Sequence, residues 1–511
     1  MSRQVVRCLS FLLVLVLMSG CTAPPVQPPA PAASPSPAPR GILRVPHFLP
    51  FGGAENLDPA SPTEFNYANF ILYDRLVARG ENGMLEPELA VEWSANGDAT
   101  KWTFTLRKGV TFHDGSTFDS ADVAYTFAHL LDPATKSPRA RTFALLAGTE
   151  TPDPQTIVFK LKQSHADFPL LLSTRATAII PADSGATIAK TGIGTGPFKL
   201  KSLDPEGTTV LSANDNYWRG KPGLAGIEIP AIADSDARPL ALQAGQIDVL
   251  FAASTAQAEL FRGNNGYTVL EFPTGNWYGL VMRTDTAPFN DNRVREAIRL
   301  VADRQAMVDL ILGGAGTVSC DTPIGPADAY HWASGACPQD IGAAKALLSA
   351  AGYADGLALT LYTSKALPNM IPLAEVFQQQ AALAGIKVSL AIVPADSFFS
   401  KTWLVEPFLV TGWTERTADE VFNGIFHSAA PWNEAYFKLP EFDALLAEAR
   451  QDLNQESRTK KYHTAQQIIA EKGGHMIPFF VNEFILTSNA VSGVPARNVE
   501  HIEWYGITKS K

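Results

Sequence analysis

Between Phe408 and Phe422 the chain reads FLVTGWTERTADEVF, an apolar run (Phe408, Leu409, Val410) that meets Gly412-Trp413 and then turns charged. These residue types suit recognition rather than bond making. Gly412 lets a ligand backbone approach, and Trp413 supplies a flat aromatic wall. Glu415, backed by Asp419 and Glu420, can pair with a cationic group such as a peptide amino terminus, while Arg416 can take a carboxylate through its planar fork of donors. For such a set to converge, the apolar run must be a strand of an open α/β sheet, where ligands bind beyond the carboxyl ends of the strands. A core strand followed by a solvated loop is the competing reading. Reactive constellations are missing: the chain has no Gly-x-Ser-x-Gly elbow, no His-Glu-x-x-His and no Cys-x-x-Cys, so a hydrolase is the less favoured alternative and no catalytic residue is assigned. His113 lies beside Asp114, but with no second ligand nearby its expected role is that of a turn histidine bonded locally.

A chain of 511 residues, 46% hydrophobic and 18% charged, has the composition of a globular protein of two or three domains. Its net charge of −10, with no basic segment, excludes nucleic acid as a partner. Arg3 and Arg7 precede an apolar stretch from Leu9 to Met18 that is too short to span a bilayer, the layout of a secretory signal. The run Leu17-Met18-Ser19-Gly20-Cys21 resembles a bacterial lipobox, with Met18 in place of the commoner Leu, which makes Cys21 the lipidated first residue of the mature chain. Soluble secretion with cleavage after Gly20 is the alternative. Each acyl methylene would contribute about 0.8 kcal/mol to anchoring. From Ala23 to Arg40 the Pro- and Ala-rich sequence lacks the apolar residues of a fold and reads as an extended tether, roughly 3.1 Å per residue. Of the four cysteines, Cys8 and Cys21 fall in the targeting region, leaving Cys320 and Cys337 in the folded body. In an oxidising compartment a disulfide between them would stabilise by roughly 3 kcal/mol. A metal site is disfavoured, since His331 is the single histidine between them.

The elements follow from periodicity. Ile42–Val45 is a short strand, and Phe70–Leu76 has helical apolar spacing that continues to Val77. Leu85–Trp93 leads into Trp102–Arg107, whose strict alternation places Trp102, Phe104 and Leu106 in a core; Asp114-Gly115 marks a turn to a second strand, and Ser120 is the expected N-cap of the next helix. Further on, Asn290 or Asp291 caps a helix through Val294, Ala297, Ile298, Val301 and Ala302 that stops at Gly313-Gly314, and a second helix runs from Ile341 to Ala351. Leu357–Tyr362, Ile371–Leu383 and Ile386–Val393 form a βαβ unit beside Phe408–Trp413, and Glu441–Leu453 and Thr459–Glu471 are amphipathic helices.

The stretch from Trp102, WTFTLRKGVTFHDGSTFDSADVAYTF, resembles the signature region of the family 5 bacterial extracellular solute-binding proteins, the oligopeptide, dipeptide and nickel receptors of ABC importers. Segments that agree in order include Gly194–Phe198, Asn214–Gly220, Leu240–Asp248, Pro288–Arg304, Ala343–Tyr353 and Leu439–Ala449, so the resemblance spans nearly all of the mature chain. It implies an α/β, two-lobed periplasmic-binding-protein-like (type II) fold with an extra subdomain in the amino-terminal lobe, hinged by two strands at Glu271–Arg283 and Met476–Asn482. The expected organisation is a signal peptide over 1–20, lipidated Cys and tether over 21–40, lobe I over 41–76, 193–275 and 478–511, its extra subdomain over 77–192, and lobe II over 276–477. Asn276 and Trp277 then lie near the cleft, Trp277 equally serving as hinge packing. The resemblance further implies an extended peptide held by strand-like backbone bonds, its amino group on an acid shortly after the cleft tryptophan. Carried over, that acid is Glu415, with Gly412 and Trp413 as backbone contact and wall; Glu64 and Phe65 fall where lobe I meets ligand. Many members carry Asp followed by an Asp-Pro-Asp-Asn-like stretch, whereas this chain has Thr414-Glu415-Arg416-Thr417-Ala418-Asp419-Glu420, which opens Asp419 and Arg416 as alternative contacts. The implied partners are a peptide or similar small solute, an importer permease and, through the lipid, a membrane, for a monomer without cofactor. A nickel or metallophore receptor is the alternative within the family, although His427, His463 and His475 stand far apart in the sequence.

Overall fold

A computed structural model describes residues 40–48, 50–80 and 83–510. The expected signal peptide, Cys21 and the tether as far as residue 39 lie outside them. Among the described residues no helix is long and apolar enough to cross a membrane.

Trp102, Phe104 and Leu106 point into the core from the second strand of a four-stranded antiparallel sheet, ordered Ala90–Ala95, Lys101–Leu106, Thr156–Leu161 and Leu146–Asp153. Phe104 and Phe127 both meet the ring of Phe159 edge-on, so the helix Ser120–Leu131 is fixed to the sheet through one aromatic seam. The N-cap is Asp119 rather than Ser120: Asp119 accepts from the Ala121 amide, Asp122 reaches back to the Asp119 amide, and the Ser120 hydroxyl donates instead to the Asp153 carbonyl. The Asp114-Gly115 turn is present with Gly115 at φ +92, but the strand expected after it is reduced to a single bridge, Thr111 to Thr117. His113 holds this hairpin to the next layer, with Nε2 3.0 Å from the Gly196 carbonyl and Nδ1 accepting from the Gly194 amide at 3.2 Å. Burial pushes its pKa down to about 4.

A second four-stranded sheet, Ile42–Arg44, Gly226–Pro230, Thr208–Ala213 and Phe198–Ser202, packs Leu43, Leu211, Ile227 and Phe198 into a separate core. The helix expected over Phe70–Leu76 runs instead over Asn66–Leu72, and Val77–Arg79 is a strand. Tyr73 turns extended because the next side chain, Asp74, is pinned by the Thr195 hydroxyl, Tyr217 hydroxyl and Trp218 indole at 2.8–2.9 Å.

The largest sheet has seven strands: Val249–Ala253, His475–Ser488, Tyr267–Met282, Phe408–Trp413, Leu357–Ser364 and Ile386–Val393 in spatial order, with Gly316–Val318 also on His475–Ser488. Two of them, Tyr267–Met282 and His475–Ser488, are long and antiparallel. At one end they carry Val249–Ala253 and the core of lobe I; at the other, Tyr267–Met282 continues into lobe II by pairing with Phe408–Trp413. Their register slips between Pro273 and Trp277, where one strand carries more residues than its partner. A bulge at that point bends both strands, which is how a pair of continuous strands can serve as a hinge. Lobe II is a βαβ layer of Leu357–Ser364, Met370–Ala382 and Ile386–Val393, with the two outer strands parallel in unbroken register. The single helix expected before Gly313 is two, Asn292–Leu300 capped by Asp291 and Arg304–Leu312 capped by Asp303, because the Asp303 carboxylate starts a new turn by accepting from the Ala306 amide. The second ends at Gly313 with φ +61. Helices Pro440–Gln451 and Gln455–Lys472 meet the amino-terminal subdomain: the Arg450 carbonyl accepts from the Ala166 amide at 2.7 Å, and Arg458 pairs with Asp167 at 3.0 Å. Cys320 and Cys337 are joined as a disulfide, their Cα atoms 5.7 Å apart.

Candidate functional site at the hinge

The bulge between Pro273 and Trp277 turns the Gly275 amide toward the loop that follows Phe408–Trp413. Glu415 is caught there: Oε2 accepts from Gly275 N at 2.9 Å, Oε1 from Arg79 Nη1 at 3.1 Å, and its own amide donates to Asn276 Oδ1 at 2.8 Å. Arg79 also donates to Asp328 at 2.8 Å. One guanidinium from the amino-terminal lobe thus ties two carboxylates of lobe II to the hinge. Asp328 is buried, which raises its pKa against the pull of Arg79. A Cβ at Gly275 would lie 2.7 Å from the Glu415 Cγ, so any larger residue there would have to displace the Glu415 side chain.

Asn276 faces both ways, its amide nitrogen donating to Glu483 Oε1 at 2.9 Å. Glu483 lines a cavity of about 230 Å³ on the lobe I side of the hinge, walled by Phe48, Tyr67, Phe70, Phe251 and Phe272 and edged by Arg175, Arg497 and Glu500. These aromatic residues come from four separate stretches of the chain and carry no local motif, so sequence reasoning passed over them. The signal within reach was Glu483, an acid placed directly after the apolar run MIPFFVN.

Trp413 stands across from Trp277 in the strand register and stays partly open. Its indole donates to Glu434 Oε1 at 2.9 Å. The fully buried Glu434 carboxylate also receives the Trp403 indole and the Thr411 hydroxyl, with His475 Nε2 at 3.0 Å. Trp413 is therefore held in orientation by a carboxylate that sequence reasoning did not single out. Arg416 lies over Trp413 and Trp432, 5.3 and 5.4 Å from the ring centroids. Burial lowers its pKa, Glu420 opposing, and among the described residues its Nε has no hydrogen-bond partner.

The other expected contacts are engaged by the protein itself. Phe65 is 0% exposed, in the lobe I core with its ring 4.2 Å from that of His47. Trp277 is 1% exposed and packs the hinge with Ile477 and Phe480. Gly412 makes room for a side chain of the protein: a Cβ there would meet the Tyr278 ring at 2.8 Å. Asp419 is 4% exposed, gripped by Arg450 through two 2.7 Å bonds, with His165 Nε2 at 3.3 Å. Burial would raise its pKa, but His165 and Arg450 outweigh that and hold the carboxyl far below the usual range. In each case the apolar or charged surface needed for a ligand is already covered by protein. Glu64 is nearly enclosed and bonded to Arg175 at 2.6 Å; burial pushes its carboxyl up. Among the described residues no group of His, Cys, Asp and Glu side chains is arranged to hold a metal ion.

Two α/β lobes on a pair of continuous strands, with an aromatic cavity and a ring of fixed charges at the joint, define a hinged solute-binding protein. Residues 84–435 match the family model of the bacterial extracellular solute-binding proteins, family 5, and the chain belongs to that family, the solute receptors of ABC importers. Glutathione-binding protein GsiB of Escherichia coli (strain K12) is 28% identical over 434 residues, covering 81% of this chain and 84% of GsiB. HbpA2 from Haemophilus parasuis superposes with a TM-score of 0.83 at 23% identity, over 92% of this chain and all of that one. DppA from Helicobacter pylori, in complex with the peptide STSA, superposes at 0.69 with 25% identity, over 92% of this chain and 98% of DppA.

Proposed function

We propose that this receptor captures a peptide or a similar small solute in the hinge cleft and passes it unchanged to the permease of an ABC importer. The observation that carries this reading is the continuity of the hinge with the cavity: Asn276 bonds Glu415 of lobe II on one side and Glu483 of the cavity on the other, so closure and occupancy act on the same residues. Relatives named for glutathione and for a bound tetrapeptide point to the same size and chemistry of guest. Trp413 and Arg416 form the lobe II side, an aromatic wall with a cation that can receive a carboxylate. Arg79, Glu415 and Asn276 set the hinge angle. Cys21 carries acyl chains that hold the monomeric protein at the outer face of the membrane, and no bond in the guest is made or broken.

Ligand binding to the native state raises the melting temperature by mass action. A screen of di- to pentapeptides and glutathione should give at least one concentration-dependent rise, with mass spectrometry recovering the compound intact. No shift with any of them would remove the peptide reading, and cleavage products would remove the transport role in favour of a hydrolase.

A further inference from the structure

Among the acids near the cleft, Glu483 differs from the rest in having no cation. Glu415 and Asp328 share Arg79, Asp419 holds Arg450, and Glu64 and Glu500 both meet Arg175. Glu483 receives one hydrogen bond, from the neutral amide of Asn276, and has no ion pair among the described residues. It pairs with Phe272 across the hinge strands, and both side chains face the cavity. Its charge is set against another carboxylate, Glu415, and burial raises its pKa. A half-buried carboxylate beside a like charge is destabilised until a cation arrives, and aromatic rings line the same cavity, Arg238 already lying over that of Phe48. The cations on the cavity rim are engaged elsewhere: Arg175 with Glu64 and Glu500, Arg497 with the Arg79 carbonyl.

We propose that Glu483, and neither Glu415 nor Asp419, receives the ammonium group of the guest, which makes the cavity selective for solutes bearing a free primary amine. This deepens the solute-capture reading above and rests on it. At about 230 Å³ the cavity has room for the amino-terminal residue of a peptide. The rest of the guest then extends toward lobe II and Trp413.

The test compares trialanine, N-acetyl-trialanine and glutathione on the full folded chain, by calorimetry and thermal shift. Wild type should bind the free-amine peptide at least tenfold more tightly than the acetylated one, and Glu483→Gln, which keeps the carbonyl that accepts from Asn276, should lose that preference. Glu415→Gln should keep the preference even if overall affinity falls. A Glu483→Gln variant that still prefers the free amine by the wild-type ratio overturns the assignment while leaving solute capture intact. So does a wild type that binds both trialanines equally, a result that does not depend on the variant folding. Failure of wild type to bind any of the three compounds would overturn the assignment together with the peptide reading beneath it.

Discussion

Replacing Glu434 by glutamine should loosen the cleft tryptophan and destabilise lobe II. Four donors converge on its two oxygens: the Trp413 indole and His475 on Oε1, the Trp403 indole and the Thr411 hydroxyl on Oε2. An indole nitrogen can only donate, whereas a hydroxyl can reverse and an imidazole can change tautomer. Glutamine has one carbonyl oxygen, so whichever way it is turned, one of the two indoles faces an NH₂ group. The orphaned donor costs about 1–3 kcal/mol, and the bonds that survive lose the charge that made them roughly twice as strong as neutral ones. The sum is about 3 kcal/mol of unfolding free energy. Urea denaturation followed by tryptophan emission reads it directly, because Trp403, Trp413 and Trp432 lie within one cluster. The same variant should bind peptide more weakly, since Trp413 loses its fixed orientation. A Glu434→Gln protein within about 1 kcal/mol of wild type, with unaltered emission and affinity, would refute the argument that this carboxylate positions the cleft wall.

The Cys320–Cys337 disulfide closes a short loop, so reduction, or Cys337→Ser with Cys320→Ser, should lower stability by about 3 kcal/mol in a urea titration and leave peptide affinity nearly unchanged. His113 gives a pH dependence of definite sign. Its pKa is lowered from 6.5 to about 4 by burial, so the unfolded chain binds the extra proton first; its contribution is complete above pH 6.5 and is lost as pH falls toward 4. The loss amounts to roughly 3 kcal/mol, and urea midpoints measured for wild type and His113→Gln at pH 7, 5.5 and 4 should converge as the pH drops.

Much of the scaffold was legible in the one-dimensional chain because its cause is local. Alternation through Trp102, Phe104 and Leu106, the Asp114-Gly115 turn and the parallel βαβ pattern around Met370–Ala382 each depend on neighbours a few residues away, and each is present. The two hinge crossings, expected at Glu271–Arg283 and Met476–Asn482 from the resemblance, fall on continuous strands, Tyr267–Met282 and His475–Ser488. Where a distant side chain intervened, local reading slipped. Asp74, held by residues far along the chain, ends a helix early, and Asp303 splits another.

The site divides along the same line. Residue types after Trp413 determined that this chain offers both a carboxylate and a guanidinium beside an indole. Which charges remain available to a guest was decided only by tertiary structure. Glu415 is paired with Arg79, more than three hundred residues away in sequence. Asp419 is enclosed by Arg450 and His165, while Glu483 lines the cavity without an ion pair and Arg416 lies over the Trp413 ring. A carboxylate's capacity to bind depends on which cation already sits within about 4 Å, and that distance is set by the packing of the lobes rather than by the order of residues.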